Sequence, residues 1–229
     1  MADTIHIRPT APLAERVLLP GDPGVALLLS QSLLGEPKMF NHTRGLWGYT
    51  GTAADGHPLT IQSTGIGGPS AATVMFELHR LGARRLLQVG TCAALDRTLK
   101  LGQLLIADRV LAGDGASRSL GAASVVAPAA PLLAALIAGA DGSARQGLVV
   151  SCDLLYAGLD QPAADWVAAG ARAVEMQTAT VFTVARRLGA EAGAVLIVSD
   201  RLPPGGRIAE EALVEAEQRA GTLAAAALA

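Results

Sequence analysis

Four short segments of the sequence place glycines or polar residues directly after apolar runs. They are residues 21–23 (GDP), 65–70 (GIGGPS), 88–92 (QVGTC) and 199–200 (SD). In open α/β sheets, ligands bind beyond the carboxyl ends of the strands, where tight glycine turns expose N–H groups that suit anions. Most strand-end glycines only form turns, so the pattern favours a polar-ligand site without identifying the ligand. GIGGPS is not the G-x-G-x-x-G dinucleotide motif, and no P-loop G-K-[ST] follows a glycine loop.

Two carboxylates lie in apolar surroundings along the chain. Asp200 ends an otherwise apolar strand, where a carboxyl group could act as a general acid. The alternative interpretation of Asp200 is a turn or helix N-cap residue. Glu175 lies between a valine and a methionine, and burying it is costly unless it meets donors such as sugar hydroxyls. An ion pair with a nearby arginine is the alternative for Glu175, and the sequence leaves both pairs of readings open.

Neither a metal site nor a disulfide framework is expected. The four histidines are scattered without the Cys/His spacing of a metal site. They are His6, His42, His57 and His79. The two cysteines, Cys92 and Cys152, are too few for a disulfide framework in this length of chain, and they predict buried thiols in a reducing compartment.

Strands and helices alternate along the chain. Apolar runs bounded by turn residues predict strands at 16–20, 46–53, 59–64, 85–89, 103–110, 147–151, 172–176 and 192–200, the second and third forming a hairpin around Asp55-Gly56. Helices are predicted at 25–34, 71–81, 131–138, 163–169, 178–188 and 208–228. Residues 111–128, which are rich in small side chains, are predicted to form a mobile surface loop. The alternation predicts one α/β domain over residues 1–229, with a central mixed sheet covered by helices on both faces.

The composition excludes several classes of protein. The chain has 229 residues, of which 51% are hydrophobic and 17% charged, which excludes intrinsic disorder. Aromatic residues make up only 3%, so the core must consist of Ala, Val, Leu and Ile. The formal net charge of −2 argues against a nucleic-acid partner. The sequence has no signal-peptide h-region and no run of ~18 apolar residues, so a cytoplasmic protein without a membrane partner is expected.

Taken together and in order, the motifs resemble the nucleoside phosphorylase superfamily, of the hexameric purine nucleoside and uridine phosphorylase type. The matching segments are residues 6–7 (HI), 18–23 (LLPGDP), 44–45 (RG), 48–51 (GYTG), 63–70 (STGIGGPS), 89–95 (VGTCAAL), 151–156 (SCDLLY), 174–180 (VEMQTAT) and 198–200 (VSD). STGIGGPS and GDGAS (113–117) look more like the uridine enzymes, whereas VSD looks more like the purine enzymes. The resemblance implies a single α/β domain whose central mixed sheet forms a distorted barrel flanked by helices.

The resemblance also implies a reaction and a set of site residues. The reaction is phosphorolysis, in which a nucleoside and inorganic phosphate, the co-substrate, give ribose 1-phosphate and the free base without a further cofactor. The implied phosphate residues are Gly21, Arg44, Gln88 and Thr91. The implied ribose residues are His6, Glu175, Met176 and Gln177. The implied base residues are Cys92, Ala93, Leu155, Tyr156 and Ser199. Asp200 would protonate N7 of a purine. His6 and Arg44 would act in a neighbouring subunit, which implies a homo-oligomer built from dimer units within a hexamer.

The chain departs from the family pattern most clearly at the phosphate positions. Val25 and Gln88 stand where the family carries phosphate-binding arginines. Each lost charge-assisted donor is worth ~1.5–3 kcal/mol. Gln177 replaces the second glutamate of the E-M-E motif and remains a neutral hydrogen-bonding partner for ribose.

Two further departures concern the base and the acid. Leu155 replaces the aromatic residue near the base, and Leu213 takes the place of the arginine that assists the acid aspartate in purine enzymes. Arg201 and Arg207 are candidate substitutes for that arginine.

Three functional hypotheses follow from these departures. The first is a nucleoside phosphorylase with a weak or rearranged phosphate site. The second is a nucleosidase, in which water replaces phosphate and Asp22 is a candidate base. The third is a catalytically silent nucleoside-binding paralogue. Asp200 favours a purine substrate, because an acid at N7 has no equivalent use on uracil, and uridine is the alternative.

Overall fold

Long apolar strands separated by helices fold into one mixed sheet in the computed structural model, which describes residues 4–156, 160–202 and 205–229. The strands are β1 (Arg16–Pro20), β2 (Gly35–Asn41), β3 (Gly48–Thr52), β4 (Pro58–Gln62), β5 (Arg85–Ala94), β6 (Leu104–Ala112), β7 (Val125–Val126), β8 (Ala144–Ser151), β9 (Ala173–Glu175), β10 (Glu191–Arg201) and β11 (Gly206–Arg207). The helices of the described residues are α1 (Pro23–Leu33), α2 (Gly68–Leu81), α3 (Gly115–Ser119), α4 (Ala130–Ala140), α5 (Asp160–Ala168), α6 (Thr178–Leu188) and α7 (Glu210–Ala227).

The sheet closes on itself at its centre. Its strand order is β11-β10-β6-β8-β9-β5-β1-β4-β3-β2, and β10 also pairs with β5, which closes a five-stranded barrel of β5, β10, β6, β8 and β9. The pairs β1/β4, β1/β5 and β5/β10 are parallel, whereas β6/β10 and β5/β9 are antiparallel. The predicted α/β fold with a mixed, barrel-like sheet is therefore confirmed.

Helices cover both faces of the sheet, so its central strands are apolar on both sides. Along β10, Leu196 and Val198 pack into one buried cluster with side chains of α2 and α6. Val195 and Ile197 pack into a second cluster with side chains of α1, α4 and α7. Small residues allow close approach between these helices. A Cβ atom added at Gly221 of α7 would lie 2.4 Å from Leu29 of α1.

The structure contains strands that the sequence analysis did not predict. β2 (GEPKMFN) lies at the edge of the sheet and pairs only with β3, and most of its residues are exposed. Because an edge strand needs no second apolar face and tolerates Pro37, its sequence lacks a strand signal. The predicted irregular loop at 111–128 instead contains the end of β6, the short helix α3 and the strand β7.

The largest boundary differences lie beside the strand ends. β5 continues five residues beyond the predicted end at Val89, because β10 and β9 supply hydrogen-bond partners for residues 90–94. α2 begins at Gly68 rather than at residue 71, which leaves only a short turn between β4 and α2. No helix in the described ranges is long and apolar enough to cross a membrane.

Candidate active site

The turns that follow β1 and β4 are joined by backbone hydrogen bonds. Thr64 N donates to the carbonyl of Pro20 at 2.8 Å, and Gly65 N donates to that of Gly21 at 3.0 Å. Gly65 has a φ of +73°, a conformation that favours glycine. The parallel pairing of the two strands therefore places two of the predicted glycine segments side by side.

Asp22 caps the helix that begins after β1. Its Oδ1 accepts hydrogen bonds from Gly24 N at 2.5 Å and from Val25 N at 3.3 Å, and these N–H groups belong to the first turn of α1. The carboxylate thus satisfies donors that would otherwise lack a partner. Asp22 therefore has a structural role as the helix cap, which is the alternative to its role as a candidate base.

Glu175 lies at the end of β9 and is only 6% exposed. Its carboxylate accepts hydrogen bonds from the hydroxyl of Ser151, from Gln177 N at 2.8 Å and from Thr178 N at 2.9 Å. Burial raises the pKa of Glu175 above its ordinary value, although these hydrogen bonds oppose the shift. Within the described part of the chain no arginine forms an ion pair with Glu175, which was the alternative interpretation of this residue. Hydroxyl and N–H groups bond to its carboxylate instead.

A neutral amide occupies the position of the expected arginine beside Glu175. Gln88 is 2% exposed, and its Nε2 donates to Glu175 Oε2 over a long distance of 3.4 Å. Gln88 Oε1 is buried without a hydrogen-bond partner among the described groups, as is the hydroxyl of Thr178. Gln88 therefore gives Glu175 a neutral hydrogen-bond donor and adds no positive charge beside it.

Gln177 connects the glycine turn to the start of α6. Its Nε2 donates to Thr64 Oγ1 at 3.1 Å, and its Oε1 accepts from Gly67 N at 3.2 Å. The side chain is buried, and the preceding Met176 is half-buried. Of the predicted ribose residues, Gln177 is therefore fixed against the turn at 64–67.

Asp200 lies within β10, opposite the end of β5. A register shift between Val198 and Asp200 places Asp200 beside Ala93 and Val198 beside Cys92. The hydroxyl of Ser199 lies 2.7 Å from Asp200 Oδ2 and 3.4 Å from the carbonyl oxygen of Cys92. The helix that follows is capped at Ala209, so Asp200 is not its N-cap.

One of the two candidate arginines faces Asp200. β11 pairs with β10 so that Arg207 lies opposite Asp200, and Arg207 Nε is 3.8 Å from Asp200 Oδ1. Arg201 is turned away and donates instead to the carbonyl of Leu99 at 3.0 Å. The cross-strand neighbour, rather than the sequence neighbour, thus supplies the cation beside this carboxylate.

Cys92 lies between the two carboxylates. Burial raises the pKa of its thiol well above the usual range, and the negative charges of Glu175 and Asp200 raise it further. Thr91 on the same strand is exposed, and Ala93 is half-buried. β5 therefore carries two of the predicted phosphate residues, Gln88 and Thr91, and two of the predicted base residues, Cys92 and Ala93. The described residues hold no group of three or more His, Cys, Asp or Glu placed to bind a metal ion.

Four predicted site residues are not joined to this centre. No hydrogen bond or ion pair of the described residues connects His6 or Arg44 with Glu175 or Asp200. Arg44 is exposed in a short 3₁₀ turn between β2 and β3, with a left-handed φ of 60°. Leu155 and Tyr156 are 48% and 95% exposed at the end of a described segment.

Two buried residues near these elements were missed at the level of sequence. Ser151 lies in the SCDLLY motif, and its hydroxyl bonds to both Glu175 and the N–H of Ala179. Glu77 lies on α2 and its carboxylate binds the N-terminal segment at residues 5–7. A single glutamate in the apolar stretch VMFELHRL was the available signal for Glu77.

Glu217 on α7 was also missed, and it carries a prediction about stability. The residue is 8% exposed, and burial together with the charge of Asp22 raises its pKa from 4.5 to about 6. The folded state therefore keeps a proton that the unfolded chain loses at lower pH, so stability falls as pH rises from 4.5 to about 6. We expect Glu217→Gln to raise the free energy of unfolding at pH 8 by about 1 kcal/mol, with solvent screening allowed for.

Urea unfolding at several pH values measures this effect. The gain from Glu217→Gln should vanish below pH ~4.5, where wild-type Glu217 is protonated in both states. Glu215→Gln is the control, because Glu215 lies on the same helix and is exposed. A gain that is the same at low and high pH would refute the role of ionisation.

The strand ends thus carry two carboxylates, a neutral amide network and glycine turns on an α/β scaffold, and together these features define the candidate site. The profile of the Phosphorylase superfamily matches residues 15–229. The chain belongs to this superfamily. It is 35% identical over 199 residues to "Guanosine phosphorylase" of Halorubrum lacusprofundi, covering 84% of this chain and 81% of the relative.

Two bacterial relatives match over similar lengths. "Purine nucleoside phosphorylase DeoD-type" of Geobacillus kaustophilus is 33% identical over 223 residues, which cover 94% of this chain and 92% of the relative. The protein of the same name from Clostridium beijerinckii is 34% identical over 209 residues, covering 88% of each chain. The family expected from the motifs is therefore confirmed.

Proposed function

We propose that this protein is a purine nucleoside phosphorylase, which cleaves the N-glycosidic bond with phosphate to give a free purine base and ribose 1-phosphate. The names of its relatives support this class of reaction. The observation that carries the proposal is the placement of Asp200 beside Ser199 and Arg207 at the end of β10, across from β5. A carboxyl group held in this way is suited to protonating N7 of a departing purine.

The proposed mechanism stabilises both charges that develop in an oxocarbenium-like transition state, the negative charge on the leaving base and the positive charge on the sugar. Asp200 gives its proton to the leaving base, so that the base departs without a negative charge. Ser199 and Arg207 orient Asp200 and stabilise the carboxylate that remains after transfer. Phosphate attacks the anomeric carbon from the opposite face of the sugar, and its negative charge stabilises the positive sugar.

We assign the phosphate position to Gly21, Thr91, Gln88 and Arg44. Of these, only Arg44 is cationic, and it would come from a neighbouring copy. Val25 contributes no charge, and the amide of Gln88 is directed to Glu175. We therefore expect weak phosphate affinity, with a correspondingly high KM for phosphate.

We assign the sugar and the base to the residues that flank β5. Glu175, Met176 and Gln177, with His6 of a neighbouring copy, would hold the ribose hydroxyls. The base would lie against the following residues: Cys92, Ala93, Leu155, Tyr156 and Ser199. Since no hydrogen bond or ion pair among the described residues joins His6 or Arg44 to Glu175 or Asp200, we expect a homo-oligomer built from dimer units, within a hexamer. Light scattering that finds a monomer would contradict this part of the proposal.

Arg207 provides a test of the acid's surroundings. We expect Arg207→Gln to lower kcat/KM for a purine nucleoside about three- to tenfold, because it removes the cation beside Asp200. Arg201→Gln removes the same charge one residue from Asp200, but its guanidinium binds Leu99 instead. Steady-state kinetics of both variants should show a loss only for Arg207→Gln, and equal losses would refute the pairing.

A substrate panel tests the proposed reaction itself. The purified protein is incubated with inosine, guanosine, adenosine or uridine, with and without phosphate, and products are separated by chromatography. Release of a purine base together with ribose 1-phosphate is the expected result. Free ribose would instead identify a nucleosidase, and no product from any nucleoside would identify a silent paralogue.

A further inference from the structure

The N-terminal segment is fixed by one buried carboxylate. Glu77, on α2, is 7% exposed, and it accepts hydrogen bonds from three consecutive backbone N–H groups. The Ile5 N–H bonds to Oε1 at 3.0 Å, and the N–H groups of His6 and Ile7 bond to Oε2 at 2.9 and 2.7 Å. A carboxylate seldom meets three successive amides by chance, so Glu77 determines the path of this segment.

Glu77 also binds the imidazole of His6. Nδ1 of His6 lies 2.9 Å from Glu77 Oε1. Burial alone would raise the pKa of Glu77, but the hydrogen bonds from Ile7, His6 and Ile5 outweigh it and hold the pKa below its ordinary value. The carboxylate is therefore ionised at neutral pH and accepts hydrogen bonds only, so Nδ1 must carry the proton.

The other nitrogen of the ring is left for a ligand. In the neutral ring, protonation at Nδ1 leaves Nε2 as a hydrogen-bond acceptor. Nε2 makes no hydrogen bond to any described residue, and the side chain of His6 is 27% exposed. An acceptor of fixed orientation at the surface suits a hydroxyl donor.

The same segment is tied to the turn that carries Arg44. Oδ1 of the buried Asn41 accepts from Arg8 N at 2.9 Å and from Thr43 N at 3.4 Å. Asn41 Nδ2 donates to the Leu46 carbonyl at 2.7 Å. Asn41 therefore ties the N-terminal segment that contains His6 to the turn that contains Arg44.

We infer that Glu77 is the positioning residue for His6, which it holds with Nε2 free to accept a hydrogen bond from one sugar hydroxyl of the nucleoside in a neighbouring copy. This inference rests on the proposed function, since only a nucleoside site supplies that hydroxyl. It adds a residue outside the site itself and defines which chemical feature of the substrate His6 selects.

Deoxynucleosides test which contact Glu77 supports. kcat/KM is measured for inosine and for its 2′-, 3′- and 5′-deoxy analogues in wild type, His6→Ala, Glu77→Gln and the double variant. In both single variants we expect the preference for inosine over one and the same deoxy analogue to fall about three- to tenfold. The double variant should lose no more of that preference than His6→Ala alone.

A purely structural role gives a different result. If Glu77 only stabilises the fold, Glu77→Gln lowers kcat/KM for all four nucleosides by the same factor, which would overturn the inference. A further loss of preference in the double variant would overturn it as well. Glu191→Gln is the matched control, because it removes a half-exposed carboxylate that pairs with Arg85 at the far end of β10, and no change in preference is expected.

Nitrogen-15 NMR of the histidine rings separates this inference from the proposed function. In the wild-type protein without substrate, His6, assigned with His6→Ala, should carry its proton on Nδ1. Glu77→Gln should change which ring nitrogen of His6 carries the proton. If this variant does not fold, the same measurement is made on Glu77→Asp, whose shorter side chain withdraws the carboxylate from Nδ1. A His6 ring protonated at Nε2 in wild type at the assay pH, alone or together with Nδ1, would overturn the inference, whether or not the protein cleaves nucleosides. Absence of nucleoside cleavage with the expected tautomer would count against the proposed function only.

Discussion

Replacing Asp200 by alanine is expected to lower kcat/KM for inosine ~10²–10⁴-fold, the usual contribution of a general acid. Without the carboxyl group of Asp200, the purine must leave as an anion. The effect should fall on kcat as well as on kcat/KM, because the proton is transferred in the transition state. Initial rates of hypoxanthine release measure it directly.

Two comparisons make this prediction specific. Asp200→Asn keeps the shape of the side chain and its bond to Ser199 but cannot donate a proton as an acid, so its loss should match that of the alanine variant. Cleavage of uridine, if the wild type performs it, should be spared, since uracil offers no N7. Equal losses on inosine and uridine would contradict the assignment of Asp200 as the acid for purines.

Adding a cation at the proposed phosphate position is the second change with a large expected effect. Each of Gln88→Arg and Val25→Arg should lower the KM for phosphate ~10- to 100-fold, since each adds a charge-assisted donor worth ~1.5–3 kcal/mol. At position 88 the guanidinium would also meet the buried carboxylate of Glu175, now held only by neutral donors. That new ion pair must be well aligned to offset the cost of desolvation.

Uncharged variants of similar length separate charge from shape. Gln88→Met and Val25→Met fill comparable space without adding a donor, and neither should improve phosphate affinity. The KM for inosine should change little in the two variants at position 25, whereas those at position 88 lose the bond from Gln88 to Glu175, a proposed ribose residue. If both arginine variants leave the KM for phosphate unchanged, phosphate binds elsewhere and the assigned anion position is wrong.

The central part of the fold could be predicted from local patterns. β1 and α6 occupy the predicted residues because a short apolar run and an uninterrupted helical segment are sufficient signals. β2 was not predicted because this edge strand is mostly exposed and has no apolar pattern. Its pairing with β3 depends on the tertiary structure, which a local pattern does not encode. β5 was predicted too short because Gly90 and Thr91 are turn-like by composition, and only pairing with β10 keeps them extended.

The motifs propose residues for the candidate site but do not predict the contacts between them. The motifs singled out Glu175 and Asp200 as candidates, but they could not show that Ser151 and two backbone N–H groups bond to Glu175. The choice of Arg207 over Arg201 depends on the β10/β11 register, which no local pattern encodes. Contacts of this kind join residues far apart in the chain, so they follow from the three-dimensional fold.

We propose that phosphate is the nucleophile although Val25 and Gln88 are uncharged. The most direct measurement is the initial rate of base release from inosine across a wide range of phosphate concentrations, with ribose 1-phosphate and ribose quantified in each reaction. A rate that rises with phosphate and saturates only at high concentration, with one ribose 1-phosphate formed for each hypoxanthine, is the predicted result. A rate independent of phosphate, with free ribose as the product, would contradict it.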